Sequence, residues 1–192
     1  MARHADDLYA AYAAAHDDSD WTYLPAGPFD SPASYRDWVH AQSQMGDPRH
    51  YAVVDASAGR AVGTLALMRH DPTNGAIEVG WVVFSRAMQR TPLSTEAHFL
   101  LMRYVFDELG YRRYEWKCDS RNAPSRRAAE RLGFTFEGTF RQSTIYKGRS
   151  RDTSWFSLLD RDWPQVKQSF EAWLAPENFD ADGNQHAALR AR

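Results

Sequence analysis

The chain has 192 residues, 43% of them hydrophobic and 25% charged, with a formal net charge of -2. This predicts one folded domain over 1–192, and the near-neutral balance gives no general case for nucleic acid or an anionic membrane as partner. No apolar run reaches the ~18 residues that a membrane span needs, and early Asp6 and Asp7 argue against a signal peptide.

Residues 5–16 read as a helix, with Leu8, Tyr9 and Tyr12 at helical spacing. A turn-rich connector with Pro25, Pro28 and Pro32 follows, then a second short helix from Ser34 to Gln42. The period then changes. YAVVD (51–55), AVGTLALMR (61–69) and AIEVGWVVF (76–84) are expected as an antiparallel meander. A long helix from about Ser94 to Leu109 carries Ala97, Leu100, Leu101, Tyr104, Val105 and Leu109 as its core face, and Gly110 stops it. RYEWKCD (113–119) follows as a strand. The intervening crossover implies that strands 76–84 and 113–119 run parallel.

DSRNAPSRRAAERLGF (119–134) reads as a short helix. Asn122 is its N-cap, Ser125 stands at the third position, and Gly133 with Phe134 ends it. FTFEGTF (134–140) and DTSWFSLLD (152–160) are expected to pair across a long turn, RQSTIYKGRSR. Asp162 caps a last helix in which Val166, Phe170 and Trp173 or Leu174 face the core, and the polar tail 176–192 should fray. The order of elements predicts an α+β, three-layer α/β/α fold. Its mixed, mostly antiparallel sheet has a central parallel strand pair.

Cys118 is the only cysteine, which excludes an internal disulfide and fits a reducing, cytoplasmic setting. The seven histidines are scattered without HxH or HExxH spacing, so no metal is expected. Two helix starts, QRTPLSTEA (89–97) and the one at Asn122, follow the predicted parallel strands. Unpaired N–H groups at such starts suit an anion, though each pattern is also an ordinary helix cap.

The run from EVGWVVF through QRTPLSTEA to DSRNAPSRRAAERLGFTFEG resembles the GCN5-related N-acetyltransferases (GNAT). It is most similar to the subgroup that includes ribosomal-protein alanine N-acetyltransferases. TEA at 95–97 and the N-x-x-S…A-x-x-x-G-F frame carry the resemblance. It implies acetyl-CoA as co-substrate, with an amine as acceptor. A non-catalytic acyl-CoA-binding protein and a different acyl group, such as succinyl, stay open, and a homodimer is allowed. By the resemblance, the pantetheine arm pairs with backbone at Trp81, Val82, Val83 and Phe84, where the Val82 or Val83 N–H polarises the thioester. The pyrophosphate falls to Gln89, Arg90, Thr91, Ser94 and Thr95. The family pattern in that turn, Q/R-x-x-G-x-G/A, here has Pro92 and Ser94 in place of glycine and Gly or Ala. Asn122, Ser125 and Arg126 would meet the carrier. Ser125 is the expected acid for the departing thiolate and Glu78 a base for the amine, with Asp119 and Asp152 in reserve. Family members also begin with a strand before the first helix, for which MARHADDL leaves no room. Cys118 reads as a small buried residue. Trp116, Tyr146, Trp21 and Trp38 read either as pocket walls or as ordinary packing.

Overall fold

The computed structural model describes residues 1–15 and 17–191. Six strands form one mixed sheet of order β1-β2-β3-β4-β6-β5, in which the central β3 and β4 are parallel. The chain divides into two compact units. The first is Met1–His70 with Glu78–Ser94, and the second is Asp71–Ile77 with the chain from Thr95 onward.

The first unit holds α1 (Ala5–Ala13), α2 (Pro32–Ser43), β1 (Arg49–Asp55), β2 (Arg60–Asp71) and most of β3 (Ala76–Phe84). Helix α1 ends three residues before the expected boundary, and His16 lies outside the described residues. Ala5, Leu8 and Tyr12, at i, i+3 and i+7, are its buried stripe. Helix α2 starts earlier than expected because Ser31 and Ser34 form a reciprocal capping box, with Pro32 in the first turn. The apolar faces of the helices meet Trp21, Ala61 and Val83 in one cluster. A buried hydroxyl fixes this packing: Tyr12 Oη donates to the Val83 carbonyl at 3.1 Å and lies 3.2 Å from Thr64 Oγ1. Since the tyrosine has one proton, Thr64 supplies the proton in the second bond.

The second unit holds nearly all of α3 (Pro92–Arg103), β4 (Arg113–Asp119), α4 (Ala123–Arg131), β5 (Thr135–Tyr146), β6 (Arg149–Leu159) and α5 (Trp163–Leu174). Strand β4 alternates: Tyr114, Trp116 and Cys118 are buried. On its other face Arg113 grips Glu137 with two hydrogen bonds of 2.8 and 2.6 Å.

The structure departs from the sequence expectations in several places. The stretch RQSTIYKGRSR is not a long turn, because both strands continue through it to a two-residue turn at Lys147-Gly148. Both turn residues have positive φ, 47° and 69°, as the twist of a tight hairpin requires. Irregularities at 136–138 and 140–144 absorb the extra residues. The long helix is not uniformly α either. After Arg103 it becomes a π-turn, Tyr104–Glu108, marked by Leu109 N–H donating to the Tyr104 carbonyl. The buried face is Ala97, His98, Phe99, Leu101, Met102, Val105 and Phe106, while Leu100, expected in the core, is 52% exposed. Asp162 precedes α5 but makes no side-chain cap bond, and Trp163, Val166, Phe170 and Trp173 face inward. Beyond α5, Asn178 Nδ2 donates to the Trp173 and Ala187 carbonyls, and Leu189 and Ala191 are buried, which is more order than the polar tail suggests. No helix among the described residues is long and apolar enough to cross a membrane.

Helix α4 ends as its sequence predicts. Phe134 N–H donates to the Ala129 carbonyl and Gly133 N–H to that of Glu130, with Gly133 at φ 93°. A Cβ at Gly133 would stand 3.1 Å from Ala191 Cβ and 3.2 Å from Val166 Cγ2. We expect Gly133→Ala to cost ~1–2 kcal/mol and to lower the melting temperature by several degrees, as read by thermal unfolding.

Candidate active site

Two constellations carry the chemistry-bearing residues, one in each unit. In the first unit β3 runs through Trp81, whose φ of 50° is a genuine outlier for a bulky residue in a strand. Such a residue turns neighbouring peptide groups out of regular alternation. Glu78 on the same strand is 5% exposed and lies 3.5 Å from Arg69 Nε. It is thus a buried, paired carboxylate and not a charge on a solvated face. Trp81 sits against Trp38 of α2 and His50 of β1, with ring centroids 5.8 Å apart in each case. Trp21, by contrast, packs edge-on to Tyr12 and Phe29 in the core.

The turn after β3 is braced from within. Ser85 carbonyl accepts the N–H groups of Met88 and Gln89, at 2.9 and 3.0 Å. Gln89 Nε2 donates to the Phe84 carbonyl and to Asp20, so this side chain supports the turn. Thr91 Oγ1 donates to the Met88 carbonyl and Ser94 Oγ to that of Thr91, both at 2.7 Å. Arg90 is exposed and left-handed, φ 62°, where glycine would be at ease. Pro92 is the first residue of α3, a position that needs no N–H for the helix but gives none to an anion.

In the second unit Asn122 caps α4 through Oδ1, which accepts the Ser125 N–H at 3.1 Å. Ser125 Oγ accepts Trp116 Nε1–H at 3.0 Å. Burial raises the pKa of the Cys118 thiol, and Ser125 opposes that rise. Arg126 lies over the Phe136 ring, 5.6 Å from its centroid, with Nε buried. Thr95 is 2% exposed and its hydroxyl accepts from Arg131 at 3.1 Å, so it too faces inward. Asp119 Oδ2 accepts the Tyr146 hydroxyl at 2.9 Å; burial first, then that carboxylate, pushes the phenol up to about 12. Asp152 Oδ1 accepts the Gln142 N–H at 2.7 Å inside the hairpin irregularity. Among the described residues no group of three or more His, Cys, Asp or Glu side chains could hold a metal ion.

Sequence reading missed the Trp116–Ser125 bond, because strand and helix meet only in the fold. It also passed over His50. Both ring nitrogens of His50 are buried without a hydrogen-bond partner, and nothing in MGDPRHYAVVD distinguishes that histidine from a surface one.

Comparison with known proteins agrees with this architecture. Residues 2–135 match the family profile described as Acetyltransferase (GNAT) domain. The chain is similar to a GCN5-related N-acetyltransferase of Brucella melitensis, at 50% identity and a TM-score of 0.94, over 97% of this chain and 85% of that one. It is similar also to a crystallised GNAT-family protein of Chromobacterium violaceum ATCC 12472, described as a probable acetyltransferase, at 46% identity and a TM-score of 0.80, over 85% and 82% of the two chains. YdaF of Bacillus subtilis (strain 168), by its name a candidate ribosomal N-acetyltransferase, is 30% identical over 57% of this chain and 59% of its own length.

His98 packs on Trp116, with ring centroids 5.1 Å apart, and is thus one contact removed from Ser125. Burial, helped by the charge of Arg131, lowers its pKa from 6.5 to about 4. The folded protein then binds fewer protons than the unfolded chain between those values. Stability from this group is complete above pH 6.5 and falls as pH drops toward 4, by ~3 kcal/mol in all. His50, lowered to about 4 by burial and then by the N-terminal charge, adds to the same slope. Urea unfolding at pH 7 and pH 5 should show the loss, and His98→Gln should flatten it in part.

Proposed function

The chain belongs to the GNAT acetyltransferase family. On that premise we propose that it moves an acetyl group from acetyl-CoA directly to a primary amine within a ternary complex. The acceptor is a small molecule or a protein N-terminus. The cytoplasm is the compartment we assign to it.

One observation supports this reading: Trp116 Nε1–H donates to Ser125 Oγ, so that bond uses the serine's lone pair and not its proton. A hydroxyl that accepts one hydrogen bond donates a second more strongly. The Asn122 cap fixes the backbone that bears it. This is the equipment needed to hand a proton to a departing thiolate.

Acetyl-CoA supplies the activated acetyl group. Arg90 is the one cation of the segment 89–94, and its exposed side chain suits a phosphate. Thr91 and Ser94 have spent their hydroxyl protons on the turn, so they assist by shaping it; Gln89 and Thr95 support from inside, and Arg126 packs beside the α4 start. The backbone from Trp81 through Val82 and Val83 to Phe84 offers peptide N–H groups for the thioester carbonyl. Glu78, held by Arg69, takes the proton that the amine sheds. The new C–N bond forms as the C–S bond breaks, and the thiolate takes its proton from Ser125, which regains one from solvent as Glu78 releases the amine's proton to solvent.

Thiol release from acetyl-CoA in the presence of an amine panel tests the whole reading. Tight binding without release would mark a non-catalytic binder, and release only from succinyl-CoA would change the acyl group. Ser125→Ala is expected to lower kcat ~10²-fold while acetyl-CoA still binds; unchanged turnover would remove the acid role. Glu78→Gln is expected to flatten the basic dependence of kcat/KM on pH, and a normal rate and profile would strike Glu78 from the mechanism.

A further inference from the structure

We propose that Trp116 is a positioning residue for the proton transfer from Ser125: its indole N–H fixes the hydroxyl and supports the charge that grows on Oγ as the proton departs. The inference rests on the N-acetyltransferase reading above. It adds to that reaction a residue that acts only through the serine.

Three helices of this chain carry a serine as their third residue, and one of the three departs from the others. In α2, Ser34 Oγ donates to the Ser31 carbonyl at 2.9 Å and accepts the Ser31 N–H at 3.2 Å. In α3, Ser94 Oγ donates to the Thr91 carbonyl at 2.7 Å. Both hydroxyls turn back on the start of their own helix, which is the ordinary use of a serine there. In α4 the Asn122 N–H is already taken by the Asp119 carbonyl, at 2.9 Å, and the Asn122 side chain holds the Ser125 N–H. The cap is complete without the serine hydroxyl. Ser125 Oγ instead accepts Trp116 Nε1–H at 3.0 Å, from strand β4.

The indole that makes this bond is held by two other buried rings. His98 lies 5.1 Å from it, centroid to centroid, and Phe134 5.7 Å, inclined at 64°. Trp116, His98 and Phe134 are all buried. Close packing of this kind keeps a ring in one orientation, and so keeps its N–H on one target.

When Ser125 gives its proton to the departing sulfur, the O–H bond breaks and its electron pair stays on Oγ until solvent returns a proton. A fixed donor aimed at that oxygen gains strength as the charge grows, so it contributes more in the transition state than before it. The same bond keeps the hydroxyl from turning back on α4, where its proton would be spent on a carbonyl as those of Ser34 and Ser94 are.

Thiol release from acetyl-CoA with the amine panel, followed in the wild type, Trp116→Phe, Ser125→Ala and the double variant, tests the role. Trp116→Phe should lower kcat about 3- to 10-fold, the worth of one hydrogen bond, while KM for acetyl-CoA moves less than about twofold. In the Ser125→Ala background the same change should alter kcat less than about twofold, because the group it acts through is gone. His98→Leu keeps the indole N–H and loosens its wall; it should lower kcat about 3-fold, and that loss too should vanish without the Ser125 hydroxyl. This second pair decides if Trp116→Phe does not fold. Losses that multiply in the double variants, an unchanged kcat, or a raised KM in place of a lowered kcat overturn the proposal and leave the transferase reading standing. A wild-type protein that releases no thiol with any amine ends both.

Discussion

The first unit depends on one proton, that of the Tyr12 hydroxyl. Deep burial raises its pKa far above the usual phenol, so it remains a donor at any physiological pH. It is spent on the carbonyl of Val83, at the end of the strand where the thioester is assigned. Helix α1 is thereby tied to β3, and the Thr64 contact ties it to β2. With the Val83 carbonyl held from the helix side, the strand can depart from regular form two residues earlier without coming loose. The aromatic packing of Tyr12 on Trp21 and Tyr35 keeps water from the bond, which is what gives a neutral hydrogen bond its strength.

In the second unit a corresponding part is played by Trp116. Its indole N–H, buried from the strand side, reaches the serine at the third position of α4. The cap residue orders the backbone of that serine and the tryptophan orders its hydroxyl. Neither bond is unusual by itself. Together they hold the backbone and the hydroxyl oxygen of Ser125 in place.

Much of this was legible in the sequence. The Asn122 cap, the Gly133-Phe134 ending and the β1–β2–β3 meander each follow from local rules, because each is decided by residues within a few positions of one another. What escaped was long-range or exceptional. The hairpin was cut short because Arg141–Thr144 is polar and irregular, and only pairing with β6 makes it strand. The core face of α3 was misphased at Leu100, where Phe99 and not Leu100 takes the inward position, and the π-turn that follows leaves no signature in residue type. The left-handed Trp81 and Arg90 contradict local propensity, and the polar partners of Ser125 and Gln89 come from segments remote in sequence. A glycine-poor turn and a capped helix marked the candidate residues in the sequence, whereas the indole that bonds Ser125 appears only in the folded chain.

The π-turn at Tyr104–Glu108 has a consequence for the evolution of this helix. It amounts to one residue more than an α-helix needs to span the same length. The turns before it present Phe99 to Phe170, with rings 5.3 Å apart, and the π-turn itself presents Phe106 to Trp163, 5.2 Å apart. A deletion that restored perfect α geometry would turn the later half by about 100°. Phe106 would leave Trp163, and Asp107 would leave both Trp163 Nε1 and Lys167. The surplus residue acts as a phase adjuster, so a shorter and more regular helix would be the less stable one. Lineages descended from this chain should vary the residues in the turn far more freely than their number.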